Sequence, residues 1–190
     1  MPVTAIPFKS PAPFELPDYL VESLTSLPFE EATKQVLEIL RDAGCADLLL
    51  TATVDASGRL HAGPRLAGDE RLAEVAQEIE DELAMQALSV ESVEGRQSFF
   101  GQAIHAGSPL LMMGEVAEGE ADPFPGALRR YLRAGLERNN LGFLYVFPLI
   151  NEAGEARGAV ALHRSLASGP LNHDQPAITH SLLFELGKRL

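Results

Sequence analysis

The chain has 190 residues, 27 acidic against 15 basic side chains, a formal net charge of -12 and 46% hydrophobic content. This length and apolar share suit one domain with its own core and argue against a disordered or fibrous chain. A balance this acidic repels phosphate backbones and anionic headgroups, so neither nucleic acid nor a membrane surface is an expected partner.

Residues 1–27 contain Pro2, Pro7, Pro11, Pro13 and Pro17. Proline interrupts helices and sheet ladders, so the segment reads as an extended arm ahead of a domain over residues 28–190. A helix is expected from Ser26 and Pro28, with Glu30 and Glu31 in its first turn, to a stop at Gly44. Phe29, Ala32, Val36, Ile39 and Ala43 fall at heptad spacing, with Leu37 and Leu40 widening the stripe. That gives the helix a second surface to bury, expected to be against another copy of the chain.

Asp47 to Val54 reads as a strand that turns through Asp55-Ala56-Ser57-Gly58 into a return strand. From Asp69 to Leu88, apolar residues recur at helical spacing among many carboxylates, so this helix carries much of the net charge on a solvated face. A short apolar segment at Ser98–His105 and a strand at Ser108–Met113 follow. Next come a carboxylate-rich loop to Gly126 and a helix over 127–138. Leu141–Asn151 and Ala156–His163, joined through Gly154, form the second hairpin and the expected centre of the sheet. A helix from about His173 to Leu190, with Ile178, Leu182, Leu183, Leu186 and Leu190 on one stripe, closes the chain.

This element order, the stretch from Ser98 through Phe99, Phe100, Gly101 and His105 to Met113, and the Gly142–Ile150 and Arg157–Arg164 hairpin resemble a GAF domain. Leu171 and Asp174 before a leucine-rich helix add to the likeness. The resemblance implies an α+β fold: a five- or six-stranded antiparallel sheet with the terminal helices on one face and pocket helices on the other. It implies little about a ligand. Of the cyclic-nucleotide signature, which would fall on His163-Arg164, Leu171 and Asp174-Gln175, only Asp174 agrees. Covalent bilin attachment would need a Cys-His pair late in the pocket, whereas Cys45 ends the first helix. Free methionine sulfoxide reduction on this fold uses a resolving cysteine, which a chain with one cysteine lacks.

No nucleophile elbow, HExxH helix, phosphate loop or dinucleotide fingerprint is present. The five histidines never fall at i, i+3 or i, i+4, so no metal site is expected. Glu115, Glu118, Glu120 and Asp122 lack the spacing of a calcium loop. In the late hairpin, alternation puts Phe143, Tyr145, Phe147 and Leu149 on one side of the strand and Leu144, Val146 and Ile150 on the other, and in the partner strand Ala159, Ala161 and His163 share a face where the two alanines leave room. A cavity lined by Phe100, Met112, Arg133, Tyr145, Ala161 and His163 is the expected ligand site. Arg133 and its neighbours belong to a region that walls the cavity in the resembled fold. Residues 121–190 hold 8 basic and 6 acidic side chains, against 7 and 21 in residues 1–120, so a neutral or anionic ligand is favoured over a cation.

The expectation is a non-enzymatic, cytoplasmic sensor or regulatory module of bacterial signal transduction. It would work as a homodimer through its terminal helices, with an unidentified small-molecule ligand and no named cofactor. It would be either free-standing or the input to a downstream domain past Leu190. A GAF-fold redox enzyme and a ligand-free dimeric interaction scaffold are the alternatives.

Overall fold

A computed structural model describes residues 4–7, 14–86, 88–113, 141–165, 167–172 and 174–190. Twelve elements follow in chain order: β1 (Thr4–Pro7), α1 (Asp18–Ser26), α2 (Phe29–Asp42), β2 (Leu48–Val54), β3 (Leu60–Ala67), α3 (Glu70–Gln86), α4 (Val93–Gln97), α5 (Phe99–Ala106), β4 (Leu110–Met113), β5 (Leu141–Ile150), β6 (Ala156–Ser165) and α6 (Gln175–Gly187). The six strands form one antiparallel sheet in the order β1-β4-β5-β6-β2-β3, with the β5–β6 hairpin at its centre.

Alternation along the strands divides the interior into two layers. On one face Leu49, Tyr145, Phe147, Leu149, Val160 and Leu162 pack with residues of α1, α2 and α6. On the other Leu48, Leu50, Ala52, Leu144, Val146, Ala159 and Ala161 pack with residues of α3 and α5. This is the expected α+β arrangement, with the terminal helices on one face.

Residues 1–27 are not extended throughout. Thr4–Pro7 is a strand on the free side of β4, and Asp18–Ser26 is a helix. The prolines explain the division: Pro17 sits at the N-cap of α1, the stretch to Leu27 contains no proline, and Pro28 then stops the helix. Leu24 is buried and Leu16, Leu20 and Leu27 lie against the same layer. Ser26 does not cap α2; its hydroxyl donates to Ser23 O at 3.0 Å, and Pro28 holds the N-cap position. At the other end Gly44, at φ +68°, allows a 6→1 bond from Cys45 N to Leu40 O at 2.8 Å beside Gly44 N to Arg41 O at 2.8 Å. Glycine takes this left-handed conformation without a Cβ penalty.

The heptad seam on α2 is covered by the chain itself. Ala32, Val36, Leu37 and Leu40 are fully buried and Phe29 and Ile39 partly so, all within the terminal-helix layer. Only Ala43 of the seam is exposed. The carboxylate loop and the helix expected over 127–138 lie outside the described residues.

Candidate functional site

Two small helices follow one another here, α4 and α5, the second carrying the aromatic residues of the pocket-side layer. They are built from one repeated cap. Ser92 Oγ accepts from Gly95 N at 2.9 Å and donates to Ser89 O at 2.8 Å, and Ser98 Oγ accepts from Gly101 N at 3.0 Å and donates to Gly95 O at 2.6 Å. Each serine satisfies orphan groups at a helix start. The turns are so tight that a Cβ on Gly101 would lie 1.8 Å from Gly95 O. α5 thereby sets Phe99 and Phe100 over the sheet, with ring centroids 4.3 Å apart. Neither α4 nor the cap relay was expected from sequence. Their trace is the run Ser89, Ser92, Gly95, Ser98, Gly101 at intervals of three.

The register carries one row of residues across all six strands: Ala5, Met112, Leu144, His163, Leu48 and Ala67. His163 thus lies between Leu144 and Leu48, with the Phe99 ring 6.1 Å away and nearly perpendicular at 86°. It is fully buried, and neither Nδ1 nor Nε2 has a hydrogen-bond partner among the described residues. Burial alone lowers its pKa to about 4, so the imidazole is neutral at pH 7, with one donor and one acceptor unused.

Of the six residues expected to line a ligand cavity, Phe100 and Ala161 are buried in the same layer, beside Ala52, Ala103 and Ala159. The backbone of Met112 lies in the row of His163. Arg133 is outside the described residues. Tyr145 does not share this layer. It pairs with Leu162 and faces the terminal helices, where its hydroxyl accepts from Leu171 N at 3.0 Å. The correction follows from register: residues paired across antiparallel strands share a face, so Tyr145 goes with Leu162, whereas Ala161 and His163 go with Val146 and Leu144.

One step along β6, Arg164 is buried in the opposite sense. Its guanidinium donates to Gly169 O at 2.7 Å, to Ser168 O at 2.8 Å and to Gly44 O. It therefore ties the end of α2 to the segment leading into α6. Gln175, opening α6, adds bonds from Nε2 to Ala43 O at 3.0 Å and Gly44 O at 3.1 Å. Asp47 closes the same junction by accepting from Ser165 N at 2.7 Å. A charged residue inside an otherwise apolar strand was the only signal of this junction in the sequence.

Cys45 is fully buried, and burial raises its thiol pKa against smaller opposing effects from the Thr179 hydroxyl and Arg164. An attacking thiol needs the reverse environment, exposed and with a lowered pKa. Among the described residues no group of three histidine, cysteine or carboxylate side chains could hold a metal ion, and no helix is long and apolar enough to cross a membrane.

Comparison with known proteins gives a fold. No family model matches the chain, and no curated protein matches it. Solved structures do. A GAF domain/HD domain protein from Geobacter sulfurreducens is 16% identical, with 88% of this chain and 93% of that one covered at a TM-score of 0.59. The GAF domain of a phosphoenolpyruvate-protein phosphotransferase from Coxiella burnetii is 15% identical, with coverage of 89% and 86% and a TM-score of 0.59. A segment of a methyl-accepting chemotaxis protein is 13% identical, with coverage of 88% and 92% and a TM-score of 0.57.

Proposed function

We propose that this chain, which has the fold of a GAF domain, is a non-enzymatic sensory or regulatory module of bacterial signalling. In this reading a small molecule binds in the layer around His163, and the terminal helices pass the bound state to a partner domain or a second copy. The observation that carries the reading is His163 itself. A buried polar group left without partners costs about 1–3 kcal/mol, and native proteins pair nearly all such groups. A neutral ligand offering both a donor and an acceptor, such as a hydroxyl or an amide, would partner the imidazole nitrogens. The apolar surroundings and the uncharged imidazole favour such a group over a carboxylate or a cation.

Native mass spectrometry of the purified protein tests this. The expected result is a retained small molecule that is lost on Ala161→Trp, which fills the layer, and weakened on His163→Leu. A mass matching the bare chain, with no gain in thermal stability from a panel of neutral aromatic alcohols and amides, would sink the reading. One observation favours the second reading, a ligand-free interaction scaffold: Phe99, Phe100, Leu48 and Leu144 already pack so closely that His163 has no solvent exposure. The buried, raised thiol of Cys45 weighs against methionine sulfoxide chemistry.

Dimerisation belongs to the same proposal, on a different surface from the α2 seam. Tyr19 of α1 is 74% exposed and Phe184 of α6 is 49% exposed. Exposed aromatic side chains on the terminal helices are what a helical partner would cover.

A further inference from the structure

The far edge of the sheet is open over a short stretch. β3 is the last strand in the order, paired only with β2 among the described residues. Its start is already covered: Leu60 N donates to Leu88 O at 2.8 Å, and Val90 N to Gly58 O, just ahead of the strand, at 2.9 Å. At Gly63 and Pro64 the ladder skips past Thr51, whose hydroxyl donates to Pro64 O at 2.6 Å. Prolines and bulges of this kind blunt a sheet edge against long strand pairing. Beyond them Arg65, Leu66 and Ala67 pair with Leu50, Leu49 and Leu48 and have no strand on the outer side among the described residues. Alternate residues of such an edge turn N–H and C=O outward.

Two grooves, of about 480 Å³ and about 220 Å³, converge on this stretch, and Pro64 and Arg65 line both. One is walled by Leu37, Glu38 and Leu66, the other by Phe29, Glu30 and Glu80. The two bases in the walls are already neutralised. Lys34 Nζ lies 2.9 Å from Glu31 and 3.1 Å from Glu30, and Arg65 is bonded to Glu80 and, at 2.8 Å, to Gln77. Glu38 has no ion-pair partner among the described residues, and α3 alongside carries Arg71 as its one base among the carboxylates of Glu70–Gln86. The edge therefore lies in a field of excess negative charge.

We propose that the Arg65–Ala67 edge is a docking site for a short, extended, basic segment of another protein, bound as an added strand. Main-chain bonds would hold it, an apolar side chain would enter the groove over Leu37 and Leu66, and lysine or arginine side chains would answer Glu38 and α3. The charge excludes a second copy as the occupant, because pairing two β3 edges would bring the acidic helices of both chains together.

An NMR titration of the labelled full chain with acetyl-Lys-Val-Lys-Val-Lys-amide tests the proposal. Amide shifts confined to Arg65–Ala67 and the facing parts of α2 and α3 are expected. Binding should weaken about threefold on Glu38→Lys, the size of one exposed charge pair, and should fall further with added salt. Methylating the peptide nitrogens on alternate residues should abolish binding in one register and spare it in the other. Shifts elsewhere, equal binding by the acetyl-Glu-Val-Glu-Val-Glu-amide analogue, indifference to N-methylation, or self-association through β3 with no peptide binding would each overturn it.

Discussion

His163 sets the pH behaviour at the scale of single residues. A histidine whose folded pKa is lowered to about 4 from about 6.5 binds its proton more readily in the unfolded chain. Its contribution is present above pH 6.5 and is lost as pH falls toward 4, by up to about 3 kcal/mol. His180, also lowered by burial, acts in the same direction. The urea midpoint of the wild type should therefore be lower at pH 5 than at pH 7, and His163→Leu should remove most of that drop. The same substitution should raise stability at pH 7 by about 1–3 kcal/mol, because it replaces an unpartnered polar group with an apolar one. A lower urea midpoint for His163→Leu at pH 7 would show that the imidazole has a partner in solution.

At the scale of elements, the serine and glycine relay makes α4 and α5 intolerant of added carbon. Gly101→Ala drives a methyl into Gly95 O and should cost about 3 kcal/mol in urea or thermal unfolding. Ala106→Gly at the far end of α5 should cost less, about 1 kcal/mol. Arg164→Met should loosen the junction of α2, β6 and α6 by about 3 kcal/mol, since three carbonyls lose a charged donor. Faster hydrogen exchange at Cys45 and Ser165 would report it.

The strands and long helices were legible in sequence because each has a single dominant period and clear turn residues. Gly58, Gly107 and Gly154 all take positive φ at the breaks. What sequence left out were the features that depend on register and on partners distant in the chain. Tyr145 was placed in the wrong layer relative to Ala161 because one strand's alternation does not say which face of the neighbouring strand it meets. α1 was hidden behind a proline count that spoke to residues 1–17 and not to the ten that follow. Arg164 stood out as a charge in an apolar strand, but that did not point to Gly44, its carbonyl partner 120 residues away.

On the scale of the whole molecule, the packing of α2 separates folding from assembly. Val36→Glu puts a charge into the terminal-helix layer and should unfold the chain, so it reports on the core. Phe184→Glu alters an exposed ring and should leave the fold intact. If the proposed dimer forms through α1 and α6, light scattering should show a dimer for the wild type and a monomer for Phe184→Glu. A monomer for both would remove that part of the proposal.

The neighbours His163 and Arg164 belong to opposite layers, so a single peptide plane separates the aromatic pocket side from the knot of carbonyls that fastens the terminal helices. Hydrogen bonds deteriorate over a few tenths of an ångström and a few tens of degrees. A small tilt of that plane, carried out along the length of the arginine side chain, would change the grip on Gly44, Ser168 and Gly169. The sheet at this point is a thin partition, and a push on one side would reach the other without any helix having to travel through the core.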